Sequence, residues 1–444
     1  MTMKIYKVLI GFCVAGALAS PLQAEGGDRP LRLSLADAIT MARQNNYSVK
    51  AARSRVEQAD ARVVQTRQSY LPKVTLSETF LVTNDPGAAL VFKLQQNIAD
   101  PQKDFTAEAL NNADVIDDFN TSLQVMQPVY NADAAIGRTM ALTAKKGQEL
   151  MALRTEENVG FQVSKVYYGL ILARKNIVAV EQSIKTMQAH SKDAAKGFSA
   201  GLLTKSDKLS TDVRLAELQE QKLLLHDEIK NATDVLIVML NLESGVTIEP
   251  TGDFVVDGVL PAVNEKLIPE NRADLKALDT YRQVAAYQEE MIHASRLPRL
   301  NAFMQTNLHS DNIFSGGSSW AVGMNMQWNI FDGMATAGRI QEAKAQKREA
   351  MYNYESAKSN SVAEVSKSLR SMRTAKARIA VARKALEEAK VSLDYIGMQF
   401  KTGMAMTFEL LMREQAYTYA KMRLNQATYD YCVSKSELDY YRGN

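Results

Sequence analysis

No proline occurs between Asn131 and Phe198. Within that stretch Val163, Val166, Leu170, Ala173, Ile177, Val180, Ile184 and Met187 recur at alternating spacings of three and four. Ile379, Ala382, Leu386, Ala389, Leu393, Ile396 and Phe400 keep the same rhythm later in the chain. A sustained period near 3.5 residues is the mark of coiled-coil packing. About 65 residues at ~1.5 Å rise make a helix of roughly 100 Å. No compact domain needs such a helix. An envelope-spanning conduit does, and so does a fibrous rod or adhesin stalk. Each run closes on a glycine, Gly201 or Gly403, the usual residue for a left-handed helix C-terminus. The chain then turns back into predicted helices near Leu203 to Leu240 and Ala405 to Tyr441. Composition agrees: 10 Pro and 22 Gly in 444 residues are about 7% of the chain, below the ~12% of average usage, which favours long uninterrupted elements.

The two runs belong to an internal repeat. Ser69-Tyr70-Leu71-Pro72-Lys73-Val74 recurs as Ser295-Arg296-Leu297-Pro298-Arg299-Leu300, an offset of 226. Val129-Tyr130-Asn131 through Gly137-Arg138 matches Ile330-Phe331-Asp332 through Gly338-Arg339 at offset 201, and Phe198 to Leu202 matches Phe400 to Met404 at offset 202. The change of offset places 25 extra residues between Pro72 and Tyr130 in the first copy. The chain therefore divides into a first repeat over 25–242, a connection over 243–266 holding Pro250, Gly252, Gly258 and Pro261, and a second repeat over 267–444. Shorter helices, Leu33 to Ser69 and Leu267 to Ser295, open the two copies.

Between the short and long helices the period falls to two. Strands are predicted near 73–82 and 118–127, and near 299–309 and 319–330. Trp320, Val322, Met324, Met326, Trp328 and Ile330 share one face, and Ala321, Gly323, Asn325, Gln327 and Asn329 the other. Val74, Leu76, Phe80 and Val82 alternate with Thr75, Ser77 and Thr79 in the same way. Ten-residue strands with one apolar and one polar face suit a barrel wall between lipid and water. Trp320 and Trp328 are eight residues apart, ~26 Å along a strand at ~3.3 Å per residue, near the ~25 Å between aromatic girdles. They are the candidate membrane-interface anchors. The competing reading is a soluble sandwich with one packed face, and Glu78 on the apolar face is out of pattern. Four strands cannot close a barrel. Three copies would supply twelve strands and two copies eight.

The N-terminus reads as an export signal over residues 1–24. Lys4 and Lys7 form the charged region, Val8 to Leu18 the short apolar core, and Leu22-Gln23-Ala24 the cleavage site. Cleavage would remove Cys13, leave Cys432 as the one cysteine and bring the formal charge from +3 to +1. A disulfide framework is then excluded, no lipid anchor is expected, and whole-chain charge gives nucleic-acid binding no support. No HExxH, nucleophile elbow or phosphate loop occurs, and His190, His226, His293 and His309 are scattered. No enzyme, cofactor or metal site is expected.

These features together resemble the outer membrane efflux protein family, the TolC-like export channels. The carriers are Leu33-Ser34-Leu35-Ala36-Asp37-Ala38 opening the first helix, Leu71-Pro72 and Leu297-Pro298 entering the strands, Phe331-Asp332-Gly333 leaving them, Val166-Tyr167-Tyr168, and the two glycine turns. The resemblance implies a mainly α fold with β. Two repeats of short helix, β-hairpin, long helix and helix would assemble as a homotrimer, with a twelve-stranded transmembrane barrel on a twelve-helix periplasmic tube. It implies a passive outer-membrane duct driven by an inner-membrane transporter through a periplasmic adaptor, with type I protein secretion as the alternative cargo route. By the same resemblance the connection marks the equator of the tube. Gly201, Leu202, Gly403 and Met404 mark its adaptor-docking tips, and Glu409 stands at an acidic constriction whose second acidic position is Met412 here. Three Glu409 carboxylates around a pore would attract cations and disfavour one another's ionisation. Asp207 matches the family's Asp in the closed-state links, while Phe400 and Ala405 replace its Tyr and Arg. Apolar packing of Phe400, Met404 and Met406 would then close the tip.

Overall fold

The computed structural model describes residues 30–256, 269 and 271–443. The expected signal peptide and most of the second half of the connection lie outside them. The chain opens with a short strand β1 (Leu31–Leu33), then α1 (Leu35–Asn45) and α2 (Tyr47–Gln65). Ser34 caps α1 by accepting the Asp37 amide. The helix predicted over Leu33 to Ser69 is divided at Asn46, whose extended backbone ends α1 and whose side chain caps α2 through the Ser48 amide. Asparagine competes with the backbone in this way, which is why it breaks helices that hydrophobic periodicity would continue.

The first hairpin is β2 (Lys73–Thr83) and β3 (Ile116–Tyr130), with a helix α3 (Pro86–Gln95) in the connection between them. Then come α4 (Ala132–Ser199), α5 (Lys205–Leu240) and the short β4 (Ile248–Pro250). The second copy is α6 (Ala273–Ala294), β5 (Arg299–Ser310), β6 (Gly317–Gln327), α7 (Ala335–Lys401) and α8 (Thr407–Arg442). At 68 and 67 residues, α4 and α7 are each about 100 Å long. The predicted stripes are their packed seams: Val163, Leu170, Ala173, Ile177, Val180 and Met187 are buried, as are Ile379 and Ala382. α4 packs along α5 and α6, and α7 along α6 and α8.

Apolar clusters recur along the rod. One joins Leu33, Val49, Val163, Tyr167 and Leu170 to Leu236, Leu240 and Ile248. β4 lies parallel beside β1 there. The Tyr167 hydroxyl donates to the Leu33 carbonyl at 2.9 Å and accepts from the Gly252 amide at 3.2 Å, fastening the start of the connection to α4. A second cluster packs Leu369, Met372 and Ile379 against Tyr431 and Leu438, and a third packs Ile177, Val180 and Met187 against Leu218 and Leu225.

The four long strands form one antiparallel sheet in the order β2-β3-β5-β6, and among the described residues β2 and β6 are its open edges. Residues opposite each other share a face. The register Leu76–Leu123, Val74–Val125, Met304–Val125 and Met304–Val322 gathers the apolar residues on one side. Ser77–Ser122, Gln305–Gln124 and Asn301–Asn325 gather polar residues on the other. Glu78 stays on the apolar side, and no bulge displaces it, because the β2–β3 register is continuous. It lies one rung beyond that of Trp320, towards the 84–115 connection, and accepts the Thr121 hydroxyl. The strand expected to reach residue 330 ends at Gln327. Trp328 is turned off the sheet by its indole, which donates to the Arg296 carbonyl at 3.0 Å. Among the described residues no helix is long and apolar enough to cross a membrane.

Candidate functional site

The two hairpin tips are built to one pattern. At the end of α4 the Leu202 amide bonds the Gly197 carbonyl at 2.8 Å and the Gly201 amide bonds Phe198 at 3.0 Å. At the end of α7 the Met404 amide bonds Gln399 at 2.9 Å and the Gly403 amide bonds Phe400 at 3.1 Å. Both are Schellman turns, which need a left-handed residue. Gly201 and Gly403 supply it with φ of +71° and +73°. A Cβ at either glycine would meet nothing within 4 Å, so the requirement is one of backbone conformation and not of space.

Three residues after each glycine the next helix begins. Thr204 accepts the Asp207 amide, and Asp207 accepts the Thr204 amide and hydroxyl at 3.0 and 2.6 Å. These bonds from Thr204 hold the Asp207 carboxyl below its usual range, against a smaller opposing effect of burial. Glu409 occupies the equivalent place in the second tip, accepting the Met406 amide at 3.2 Å. In place of the Thr204 hydroxyl, methionine offers the Glu409 amide only a thioether sulfur, a weak acceptor, so this cap is the weaker of the two. Both acids named by sequence reasoning therefore have a structural task at the start of a helix. Glu409 remains exposed.

Leu202 and Met404 project from the tips, 80% and 73% exposed. Between the tips lies a cavity of about 730 Å³ lined by Asp193, Lys196, Leu202, Phe400, Lys401 and Gly403. Phe400 meets the His190 ring edge-on at 6.2 Å, joining the second hairpin to the first. Burial pushes the His190 imidazole below its ordinary value; Asp193 and Glu414 oppose this and Lys401 adds to it. Met412 is exposed on α8 and lines a separate groove of about 470 Å³ with Arg214, Gln221 and Tyr419.

Sequence reasoning missed the charge network above the tips. Glu414 is 1% exposed. It accepts Arg214 Nε at 3.0 Å and the Thr418 hydroxyl at 2.7 Å, and Thr418 shares a 2.5 Å bond with Ser183. α4, α5 and α8 are thereby tied together. Buried Thr407, Leu410, Glu414 and Thr418 form one α8 seam, so an acid in seam phase was the signal available. Among the described residues no group of His, Cys, Asp or Glu could hold a metal ion. Far from the tips, Trp320 stands 76% exposed on the apolar face of the sheet and Trp328 just past its end.

Known proteins share this architecture. The structure of the outer membrane protein VceC from Vibrio cholerae superposes with a TM-score of 0.77 over 92% of this chain and 96% of that one, at 17% identity. The CmeC outer membrane channel of Campylobacter jejuni gives 0.79 over 92% and 85%, at 17% identity. At such identities the likeness concerns the fold. In sequence, the alkaline protease secretion protein AprF of Pseudomonas aeruginosa is 23% identical over 342 residues, 74% of this chain and 70% of AprF. The profile of the outer membrane efflux proteins matches residues 38–242 and 266–444. Channels of this kind sit in the outer membrane of Gram-negative bacteria, extend into the periplasm and are not enzymes. The chain belongs to the outer membrane efflux protein family.

Proposed function

We propose that three copies of this chain form the passive outer-membrane duct of a tripartite export system for small molecules, reached by an inner-membrane transporter through a periplasmic adaptor. The carrying observation is the sheet: one face apolar, the other polar, with both edges open, set on two helices of about 100 Å. Three such sheets joined edge to edge make an even, closed, twelve-stranded wall with water inside and lipid outside. An envelope rod or adhesin has no use for that wall.

The exposed Leu202 and Met404 are the adaptor contacts in this reading, and Glu409 contributes a carboxylate ring at the narrow end. The relationship to AprF supports a second reading of the cargo, protein secretion of type I. Discrete single-channel steps in a planar bilayer test the duct itself; their absence from purified trimers would refute it. Susceptibility to small toxic compounds against loss of a secreted protein, in a strain lacking the chain, separates the two cargoes. For the tips, Gly403→Leu should abolish export with the trimer intact, while Gly403→Asn, which tolerates the left-handed turn, should retain it. Loss of the trimer in both variants would assign the glycine to folding and remove it from docking.

A further inference from the structure

The 84–115 connection, which carries the 25 residues with no counterpart in the second repeat, folds onto the polar face of the sheet. Three contacts establish this. The Gln96 side chain donates through Nε2 to the Asp118 carboxylate at 2.9 Å and the Asp117 carbonyl at 2.8 Å. Asp118 in turn bonds His309 Nδ1 at 2.8 Å. Asp118 shares the face of Asn120, Ser122 and Gln124, and His309 that of Asn307 and Gln305. Gly317 opposes His309 in the register, and a Cβ placed there would lie 2.0 Å from the Gln95 carbonyl oxygen. The backbone of the connection thus presses directly against the inner surface at the far end of the strands. The Asp118, His309 and Gln96 group is buried, so this seat is packed.

α3 has one seated face and one open face. Ala89 and Gln96, seven residues apart, are buried, and Gln96 bonds the sheet. On the opposite side Val91 and Leu94 are 47% and 49% exposed, and Ile98, just past the left-handed Asn97 that ends the helix, is 59% exposed. In a trimeric barrel that second face looks at the axis and not at lipid. Twelve strands ~4.8 Å apart and tilted ~40° close at a backbone radius of about 12 Å. Three helices ~10 Å thick, packed around one axis, need a circle of about 11 Å radius, so they meet only where the wall beneath them carries no side chain, as at Gly317. A water-filled mouth would leave the apolar stripe in contact with water, which is unfavourable. Two other copies of the same stripe lie across the axis to cover it.

We propose that the 84–115 connection is a plug: three copies of it meet through Val91 and Leu94 of α3 and Ile98 just beyond the helix, and close the outer mouth of the duct. The partner surface is a second copy of this chain, and the proposal rests on the trimeric barrel reading above. It places a barrier at the end of the conduit opposite the tips, so that cargo must displace it from inside.

A thiol on the inner wall reports on the plug without regard to the tips. Ala321→Cys lies on the polar face of β6, four residues below Gly317. A polyethylene-glycol maleimide added outside intact cells should label it at least tenfold faster when Val91, Leu94 and Ile98 are all changed to Asp. Equal rates in two heat-resistant trimers overturn the plug. If the triple variant does not assemble, Leu94→Cys alone decides: oxidation should give disulfide-linked pairs of chains, and none would overturn it. Failure of the unsubstituted chain to form trimers would refute the barrel reading instead.

Discussion

Removing the Glu414 carboxylate should loosen α8 from α5 without unfolding the rod. Glu414 is 1% exposed, and the Arg214 side chain that bonds it at 3.0 Å is 14% exposed. Deleting one partner of a buried pair costs about 3–5 kcal/mol, because the other charge is left without compensation. Arg214 keeps a second partner, Glu217, at 3.0 Å, which places Glu414→Ala at the lower end, about 3 kcal/mol. If that loss appears as local opening, amide exchange in α8 around Thr418 to Met422 rises about 100-fold. Hydrogen exchange of the purified trimer measures it segment by segment. Glu414→Gln keeps the Thr418 bond, loses the charge and should fall between. Arg214→Met combined with Glu414→Leu should recover most of the protection, since a packed apolar pair avoids the desolvation cost. Unchanged α8 protection in Glu414→Ala would refute the argument, because a truly buried pair cannot lose one member silently.

Three further outcomes are expected. The His190 value is depressed below 6.5 by burial, so the unfolded chain binds the extra proton. The packing of His190 on Phe400 therefore contributes fully above pH 6.5 and is lost progressively as pH falls below it. Tip amides should exchange faster at pH 5.5 than at 7.5, and the difference should vanish in His190→Gln; equal acid sensitivity in both would exclude His190. Met324→Arg, on the apolar face, should lower trimer heat stability by about 2–4 kcal/mol if it meets lipid near the midplane, whereas Asn325→Arg should be tolerated; the reverse order would invert the sheet. Glu409→Gln should shift the reversal potential in a salt gradient towards lower cation preference, and no shift would remove Glu409 from the pore.

Residues whose environment repeats with the local period were readable in the sequence. The seams of α4 and α7 and the two sheet faces declare themselves because every third, fourth or second residue meets the same surroundings. The glycine turns were readable because one backbone conformation demands them. What escaped depends on a single side chain meeting a distant one. Asn46 divides a helix by bonding the backbone two residues on. β1 and β4 pair across more than 200 residues, with three residues each and too little length to show alternation. Glu414 looks like any helix-face acid until its phase is compared with Leu410 and Thr418. The 25-residue insertion was visible as an offset, but the buried face of its helix is marked only by Ala89 and Gln96, one of them polar, which is too little to show a period. Strand ends are likewise set by individual bonds, as Trp328 demonstrates.

The open edges of the sheet bear on how the channel is made. Among the described residues β2 and β6 each present 11 residues with no neighbouring strand beyond them. In hydrocarbon every unpaired backbone group costs several kcal/mol. A lone protomer in the bilayer is therefore not a sparse intermediate but a forbidden one, and insertion has to coincide with closure of the ring. In the trimeric ring proposed above the contact is head-to-tail, so one defective edge spoils the whole ring. Chains with a proline in β6, expressed at parity with the natural chain, would leave only roughly one ring in eight free of a defective chain. Loss of function from such a lesion is accordingly dominant, a genetic property written into the edge of a β-sheet.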